Sequence, residues 1–329
     1  MSGDYCMTLY LTQDEVRSIL DMKSTIEAVE SGFREMGLGN IEMPARVYLH
    51  FEKGVLIAMP AYIKTLDAAG LKVVTVHPDN PSKHNLPAVI ARIILNDPTK
   101  GEPLAIMDGT YITALRTGAA GAVGIKYLAR RDAKTVGIVG LGVQGRSQLL
   151  CLCEVLDIET VKVYDIVPAA RKAYVEEMAK EVGVDIRAVD SVEEAAKGSD
   201  IVVTCTPSPT PFLTGEMLDG GVHVSAIGAD TATKRELDTS VLTKADKLVV
   251  DFKPQAFVVG DFAVPLKEGA IRKEDVYAEL GEIVTGRKLG RAFDDEITLF
   301  KATGLAIQDV GTAFKVYQLA KERGIGREI

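Results

Sequence analysis

The sequence predicts an α/β protein in which a doubly wound parallel sheet is joined to a smaller α+β domain. Residues 135–145, TVGIVGLGVQG, run an apolar strand into Gly140-x-Gly142-x-x-Gly145 and then a helix. From there strand candidates at 135–140, 161–165, 184–188, 200–205, 222–227 and 247–251 alternate with helical stretches. Such alternation implies a parallel, Rossmann-type sheet. Upstream of about residue 115 the pattern changes to short strands punctuated by glycine and proline, as in an antiparallel sheet. The expected division is a smaller domain over 1–116, completed by 300–329, and a Rossmann-type domain over 117–299.

The smaller domain opens with helical periodicity from Asp14 to Met36 (Val16, Ile19, Leu20, Ile26, Val29, Phe33), closed by Gly37 and Gly39. Strands are expected at 46–51, beginning with Arg46, and at 55–59, 70–76, 88–95 and 103–107, with a polar loop over 78–85. A small-residue helix runs from Thr110 to Ala129. Each of its glycines costs roughly 1 kcal/mol of helix propensity against alanine, which predicts close packing along it. Residues 304–323 read as an amphipathic helix.

The glycine pattern is what a dinucleotide site requires. Gly140 permits the tight turn, Gly142 lets a pyrophosphate approach the backbone, and Gly145 lets helix pack on strand. The helix start offers free N–H groups to phosphate oxygens. The next strand ends in Asp165, about twenty positions past Gly145, where a carboxylate accepts from ribose hydroxyls and repels a 2′-phosphate. Ile166, Val167 and Pro168 supply no cation, and the nearest is Arg171. NAD is therefore favoured over NADP, against the plainer reading of a solvated strand-end aspartate.

A net charge of −8 argues against nucleic acid, which needs a basic face. No apolar run reaches the length of a membrane span and no secretory pattern opens the chain, so a cytoplasmic location is expected. Cys6, Cys151, Cys153 and Cys205 form no metal pattern and read as buried free thiols, with Cys205 in an apolar strand. His50, His77, His84 and His223 show no paired spacing, so no metal is expected.

Ligands of open α/β sheets bind beyond the carboxyl ends of the strands. That rule singles out Thr204-Cys-Thr206-Pro-Ser208 and Ala226-Ile227-Gly228-Ala-Asp230. Gly228 would let backbone approach a ligand. Asp230 could move the proton that accompanies hydride transfer, or equally cap a helix opening at Thr231. In the smaller domain Arg46, Lys72 and Arg116 stand in apolar surroundings. Each could lie on a solvated face; together they suggest a pocket for a carboxylate.

Over nearly its whole length the chain resembles the ornithine cyclodeaminase and mu-crystallin family. The resemblance rests on Met43-Pro-Ala-Arg46, Ala58-Met-Pro60, Gly70-Leu-Lys72, His77-Pro78, Ala114-Leu-Arg-Thr117, Gly140–Gly145, Ile227-Gly-Ala-Asp230, Glu279-Leu-Gly-Glu-Ile and Gly304-Leu-Ala-Ile-Gln-Asp309. Within it the chain is most similar to archaeal-type alanine dehydrogenases. The resemblance implies a homodimer joined through the first domain, with the C-terminal helix returning to that domain. It implies substrate-carboxylate and positioning roles for Arg46, Lys72 and Arg116, and acid/base catalysis by Asp230; in the expected mechanism Lys72 is catalytic by polarising the developing imine or the attacking water. Val143, Gln144, Asp165, Thr206 and Lys234 match positions that touch the dinucleotide, and Thr303 matches the cleft lining. Gly140, Gly142, Gly145, Thr204, Ile227 and Gly228 complete the expected cofactor set.

Two positions depart from the family pattern. Ile57 stands where cyclodeaminases place a carboxylate for the distal amine of ornithine, and Ala88 where a threonine is usual. An apolar Ile57 puts diamino-acid cyclisation in doubt, because a buried unpaired ammonium is costly. The expected activity is NAD-dependent deamination of a small aliphatic L-amino acid, alanine first. The alternatives are a reductase of cyclic imino acids such as pyrroline-2-carboxylate, a cyclodeaminase, and a non-catalytic nucleotide-binding sensor or store.

Overall fold

A computed structural model describes residues 7–258 and 260–329; Cys6 lies outside the described residues. The chain divides into two compact units, the first running to Arg116 and resuming over Leu305–Ile329, the second spanning Thr117–Gly304.

In the first unit, eight strands among the described residues form one sheet. Its order is Arg327–Glu328, Leu9–Leu11, Pro103–Asp108, Val89–Asn96, Ala68–Val76, Gly54–Ile63 and Ile41–Glu42, with Val47–Phe51 also on Gly54–Ile63. The pairings are antiparallel except that of Leu9–Leu11 with Pro103–Asp108. Helices Met22–Leu38 and Ala306–Arg323 pack together, and the latter lies on the three central strands. Residues directly opposite in antiparallel strands share a face. Lys72 lies opposite Met59 and Ile93, and Ile57 opposite Val74 two positions along, so these side chains occupy one buried face.

Three local expectations for this unit are corrected. The single helix expected over 14–36 is two, Gln13–Ile19 and Met22–Leu38. Leu20 takes an extended conformation and Asp21 restarts the helix by accepting from Ser24 N–H. The strand expected to stop at Met59 runs on to Ile63 through Pro60. Val47–Phe51 has ended there and Ile41–Glu42 has not begun, so the missing N–H of Pro60 deprives no strand on that side. Arg46 precedes its strand rather than beginning it.

The second unit holds a parallel sheet of eight strands among the described residues. Its order is Asp185–Ala188, Thr160–Tyr164, Thr135–Val139, Ile201–Thr204, His223–Ala226, Thr298–Lys301, Lys247–Val250 and Val276–Glu279. The strands Val276–Glu279 and Thr298–Lys301 are additions to the expected set. At four residues each they show no periodicity, and Thr298–Lys301 inserts between two strands far earlier in sequence. The small-residue helix, Thr110–Leu128, packs as its composition predicts. A Cβ on Gly118 would fall 2.3 Å from Ser147 O, and one on Gly124 2.5 Å from the Phe300 ring. No helix among the described residues is long and apolar enough to cross a membrane.

Candidate active site

In the first unit the site is a buried charge cluster. Lys72 sits mid-strand, 1% exposed, on an apolar sheet face. Arg116 projects from the helix Thr110–Leu128. Asp309, in the first turn of the returning helix Ala306–Arg323, meets both: Lys72 Nζ lies 2.7 Å from Oδ2, and Arg116 Nε donates to Oδ1 at 2.8 Å. Arg116 Nη1 also donates to Gln308 Oε1 at 2.9 Å. Burial above all, and then the Arg116 charge, push the Lys72 ammonium down to about 7; Asp309 opposes them, and the charge of Arg46 adds to the fall. With Lys72 protonated, one carboxylate answers two buried cations and the cluster carries surplus positive charge. A buried surplus of that kind is costly until an anion neutralises it.

The second unit presents the glycine turn. Gly140 has φ +96°, and a side chain there would strike Cys205 O at 2.7 Å. A Cβ on Gly145 would sit 2.3 Å from Gly140 O, so helix and strand touch there. A Cβ on Gly142 would meet nothing within 4 Å, leaving open backbone where a pyrophosphate must approach. The helix Val143–Cys153 begins with no side-chain cap on its N–H groups, and Val143 is 66% exposed at its start. Gln144 follows in the same turn, accepting from the Ser147 hydroxyl.

Asp165 is fixed at its strand end by Leu141 N–H at 3.0 Å and Val167 N–H at 2.9 Å, which leaves acceptor capacity for ribose hydroxyls. Arg171 donates to Val189 O at 2.7 Å and Asp190 Oδ1 at 3.0 Å, and lies over the Tyr164 ring. The residues present fit a dinucleotide without a 2′-phosphate.

Beyond the strands Ile201–Thr204 and His223–Ala226, the two loops expected to border the ligand are tied by Glu236. Its Oε1 accepts from Thr206 N–H at 2.6 Å; its Oε2 accepts from Gly228 N–H at 2.8 Å and the Thr204 hydroxyl at 2.9 Å. Gly228 therefore has a different reason from the one expected. A Cβ there would fall 2.2 Å from Thr206 O and 2.7 Å from Glu236 Oε1, so the neighbouring loop, rather than a ligand, demands glycine. Thr204 is fully buried with its hydroxyl given to Glu236, and Ile227 is 6% exposed with its N–H donated to Thr204 O.

No helix follows Asp230: residues 231–236 are turn and loop, which removes the helix-cap reading. Asp230 instead pairs with Lys234 at 2.6 Å, both partly exposed. Thr303 is held by Asp251, which accepts from its N–H at 2.6 Å and from its hydroxyl at 2.9 Å, while Gln255 donates to the same hydroxyl.

The three described cysteines are free, but only Cys151 is buried; Cys153 and Cys205 are partly buried, which corrects the expectation for those two. Burial raises the Cys151 thiol to about 12 and Cys153 to about 11, and raises Cys205, which lies just beyond its strand rather than in it. Thiols raised in this way stay protonated at neutral pH. No cluster among the described residues could hold a metal ion.

Sequence reasoning assigned no role to Gln308, Asp309, Glu236, Asp251 or Gln255. Asp309 had a signal, an acid following the apolar run Leu305-Ala-Ile307 and Gln308, which is rarely buried unpaired. Glu236 had none.

Residues 7–324 match the Ornithine cyclodeaminase/mu-crystallin family. The chain belongs to that family. It is 47% identical to the alanine dehydrogenase of Archaeoglobus fulgidus, over 98% of each chain. An archaeal alanine dehydrogenase dimer with bound NAD superposes with a TM-score of 0.93 at 47% identity, over 98% of each chain. Thermococcus litoralis Delta(1)-pyrroline-2-carboxylate reductase, solved with NADH and L-proline, gives 0.95 at 43% identity over 98% of this chain and 100% of that one.

Proposed function

We propose that this protein is an NAD-dependent oxidoreductase of small aliphatic 2-amino or 2-imino acids, with L-alanine its first substrate. The observation that carries this is the Lys72–Asp309–Arg116 cluster, a buried positive surplus on an otherwise apolar sheet face. An α-carboxylate supplies the missing anion, gripped by Arg116 and Arg46. The buried side chains of Ile57 and Met59 on that face suit an alkyl group and offer nothing to an ammonium, which disfavours diamino acids. NAD supplies the two-electron acceptor for the hydride at Cα.

The residues of this chain do the rest. Arg116 and Arg46 hold the substrate by its carboxylate, which fixes the orientation of Cα. Neutral Lys72 accepts a proton from the attacking water in deamination, and its ammonium returns one in the reductive direction. Asp230 exchanges the proton of the substrate nitrogen. Alanine, water and oxidised NAD thus become pyruvate, ammonium, NADH and one released proton.

A second reading, reduction of a cyclic imino acid, is supported by the same apolar face and by the likeness to the pyrroline-2-carboxylate reductase. Purified protein assayed for NAD reduction with L-alanine and for NADH oxidation with pyrroline-2-carboxylate separates the two. Turnover of neither, nor of any other amino or imino acid in a broad panel, would leave a nucleotide-binding sensor or store.

The proposed assembly is a homodimer through the first unit, where Val47, Tyr48, Leu49 and Phe51 are all exposed on one strand. Light scattering at the monomer mass would refute it.

A further inference from the structure

We propose that Glu236 is a positioning residue for the nicotinamide half of the dinucleotide, through its single carboxylate that ties the two loops leaving Ile201–Thr204 and His223–Ala226. The inference rests on the NAD reading above.

A pyrophosphate on the Gly140–Gly145 turn leaves the adenosine towards Asp165 and the other half towards the two strands on the opposite side of Thr135–Val139. The ends of those strands are where Glu236 acts. Thr206 and Gly228 turn their N–H groups to it, and Ala229 N–H adds a longer contact at 3.3 Å. Three backbone N–H groups converging on one point make an anion-binding concavity, and here the protein fills it with its own carboxylate.

Phosphate is thereby excluded from this nest and left to the glycine turn. The loops are also drawn to a fixed separation, close enough that residue 228 must be glycine. Glu236 is itself anchored. Asp261 Oδ1 accepts from the N–H groups of Glu236 and Leu237 at 2.6 and 2.8 Å, and Lys301 lies 3.1 Å from Asp261 Oδ2. Glu236, Asp261 and Lys301 are all fully buried, so the network cannot be replaced by solvent. Asp230 follows Ala229 directly, so the carboxylate that sets the loops also sets the start of the acid/base segment.

A glutamine at 236 must turn its NH₂ either towards Thr206 N–H or towards Gly228 and Ala229 N–H, and each choice sets donor against donor. The test is binding of NADH, read by nicotinamide fluorescence, beside binding of ADP-ribose, which lacks the nicotinamide, read by calorimetry. Glu236→Gln is expected to weaken NADH about tenfold, the scale of one hydrogen bond to a charged group, and to leave ADP-ribose within about twofold. Unchanged NADH affinity, or equal losses for both ligands, overturns the proposal, the latter because it shows only general support of the fold.

Should circular dichroism show Glu236→Gln unfolded, Thr204→Val, which removes one donor to the same carboxylate, carries the test. A roughly threefold loss for NADH alone supports the proposal, and equal affinities overturn it. Wild-type protein that binds NADH but turns over no amino or imino acid sinks the dehydrogenase reading and leaves the Glu236 test intact. Wild type that binds no NADH sinks both.

Discussion

Each unit buries a carboxylate at its functional end, and the two are handled in opposite ways. Asp309 in the first unit is met by the charged side chains of Lys72 and Arg116. Glu236 in the second is met by backbone N–H groups and a threonine hydroxyl, and burial raises its carboxyl. The first arrangement leaves net positive charge, which is of use only if a substrate anion arrives. The second spends its carboxylate on backbone donors, with Asp261 and Lys301 buried behind it, and so yields shape rather than a site for a substrate anion. On the proposed reading, the first unit recognises its substrate by charge and Glu236 serves the cofactor by fixing loop geometry, so substitutions in the two units should fail in different ways.

The largest contrast is between chemistry and framework. Asp230→Asn should lower kcat by about 10²- to 10⁴-fold, the range for losing a positioned acid/base, while NADH affinity stays within about threefold. Stopped-flow turnover beside NADH titration checks this. A variant retaining near-wild-type kcat removes Asp230 from proton transfer and places the chemistry wholly on the first unit.

Asp309→Asn should come next. Removing the one anion of a buried three-charge cluster costs about 3 to 5 kcal/mol of stability. It also removes the charge that holds the Lys72 ammonium up, so its titration moves below about 7. In wild type the reductive kcat/KM, which needs the ammonium, falls as pH rises through about 7, and the oxidative kcat/KM rises there. In Asp309→Asn both limbs should move to lower pH. Limbs that stay put would show that another group sets the profile.

The glycine turn offers a finer division within the second unit. Gly142→Ala adds a Cβ into open space, so the fold should be kept and NADH weakened about tenfold or more, because the pyrophosphate loses its close approach. Gly145→Ala forces a Cβ against Gly140 O and should lower the melting temperature markedly. Calorimetric unfolding and NADH titration on the pair check both. Equal stability losses would mean that Gly142 serves packing as well.

These contrasts follow what could be read from the chain. The turn was legible because glycine spacing reports backbone geometry directly, and the small-residue helix because its glycines had to be offset by close packing. The Lys72, Arg116 and Arg46 candidates were visible as cations in apolar runs, and the first two meet at Asp309. Asp309 is 193 positions from Arg116, a pairing no local pattern reports. Glu236 was invisible for another reason. Its partners are, apart from the Thr204 hydroxyl, backbone groups, which carry no residue identity. The helix break at Leu20–Asp21 was missed because apolar periodicity continues through it while the cap at Asp21 restarts the count.

The smallest effect concerns pH and stability, and it separates the units once more. His223, fully buried with Nδ1 2.9 Å from the Thr298 hydroxyl, is pushed by burial, and then by the charge of Arg291, from 6.5 to about 3. Its folded value lies below its unfolded one, so the stability it contributes is complete above about 6.5 and is lost as pH falls towards 3. Lys72 is depressed too, from 10.5 to about 7, but for a lysine in that window the unfolded chain holds the extra proton, so its burden is relieved as pH rises from 7 to 10.5. The second unit therefore weakens in acid through His223, and the first strengthens in base through Lys72. His223→Asn should flatten the acid slope of unfolding free energy by about 1.4 kcal/mol per pH unit between pH 6 and 4, leaving the slope above pH 7 unchanged. Denaturant titrations across pH 4 to 9 read both limbs. An unaltered acid limb would mean that carboxylates rather than the buried imidazole govern it.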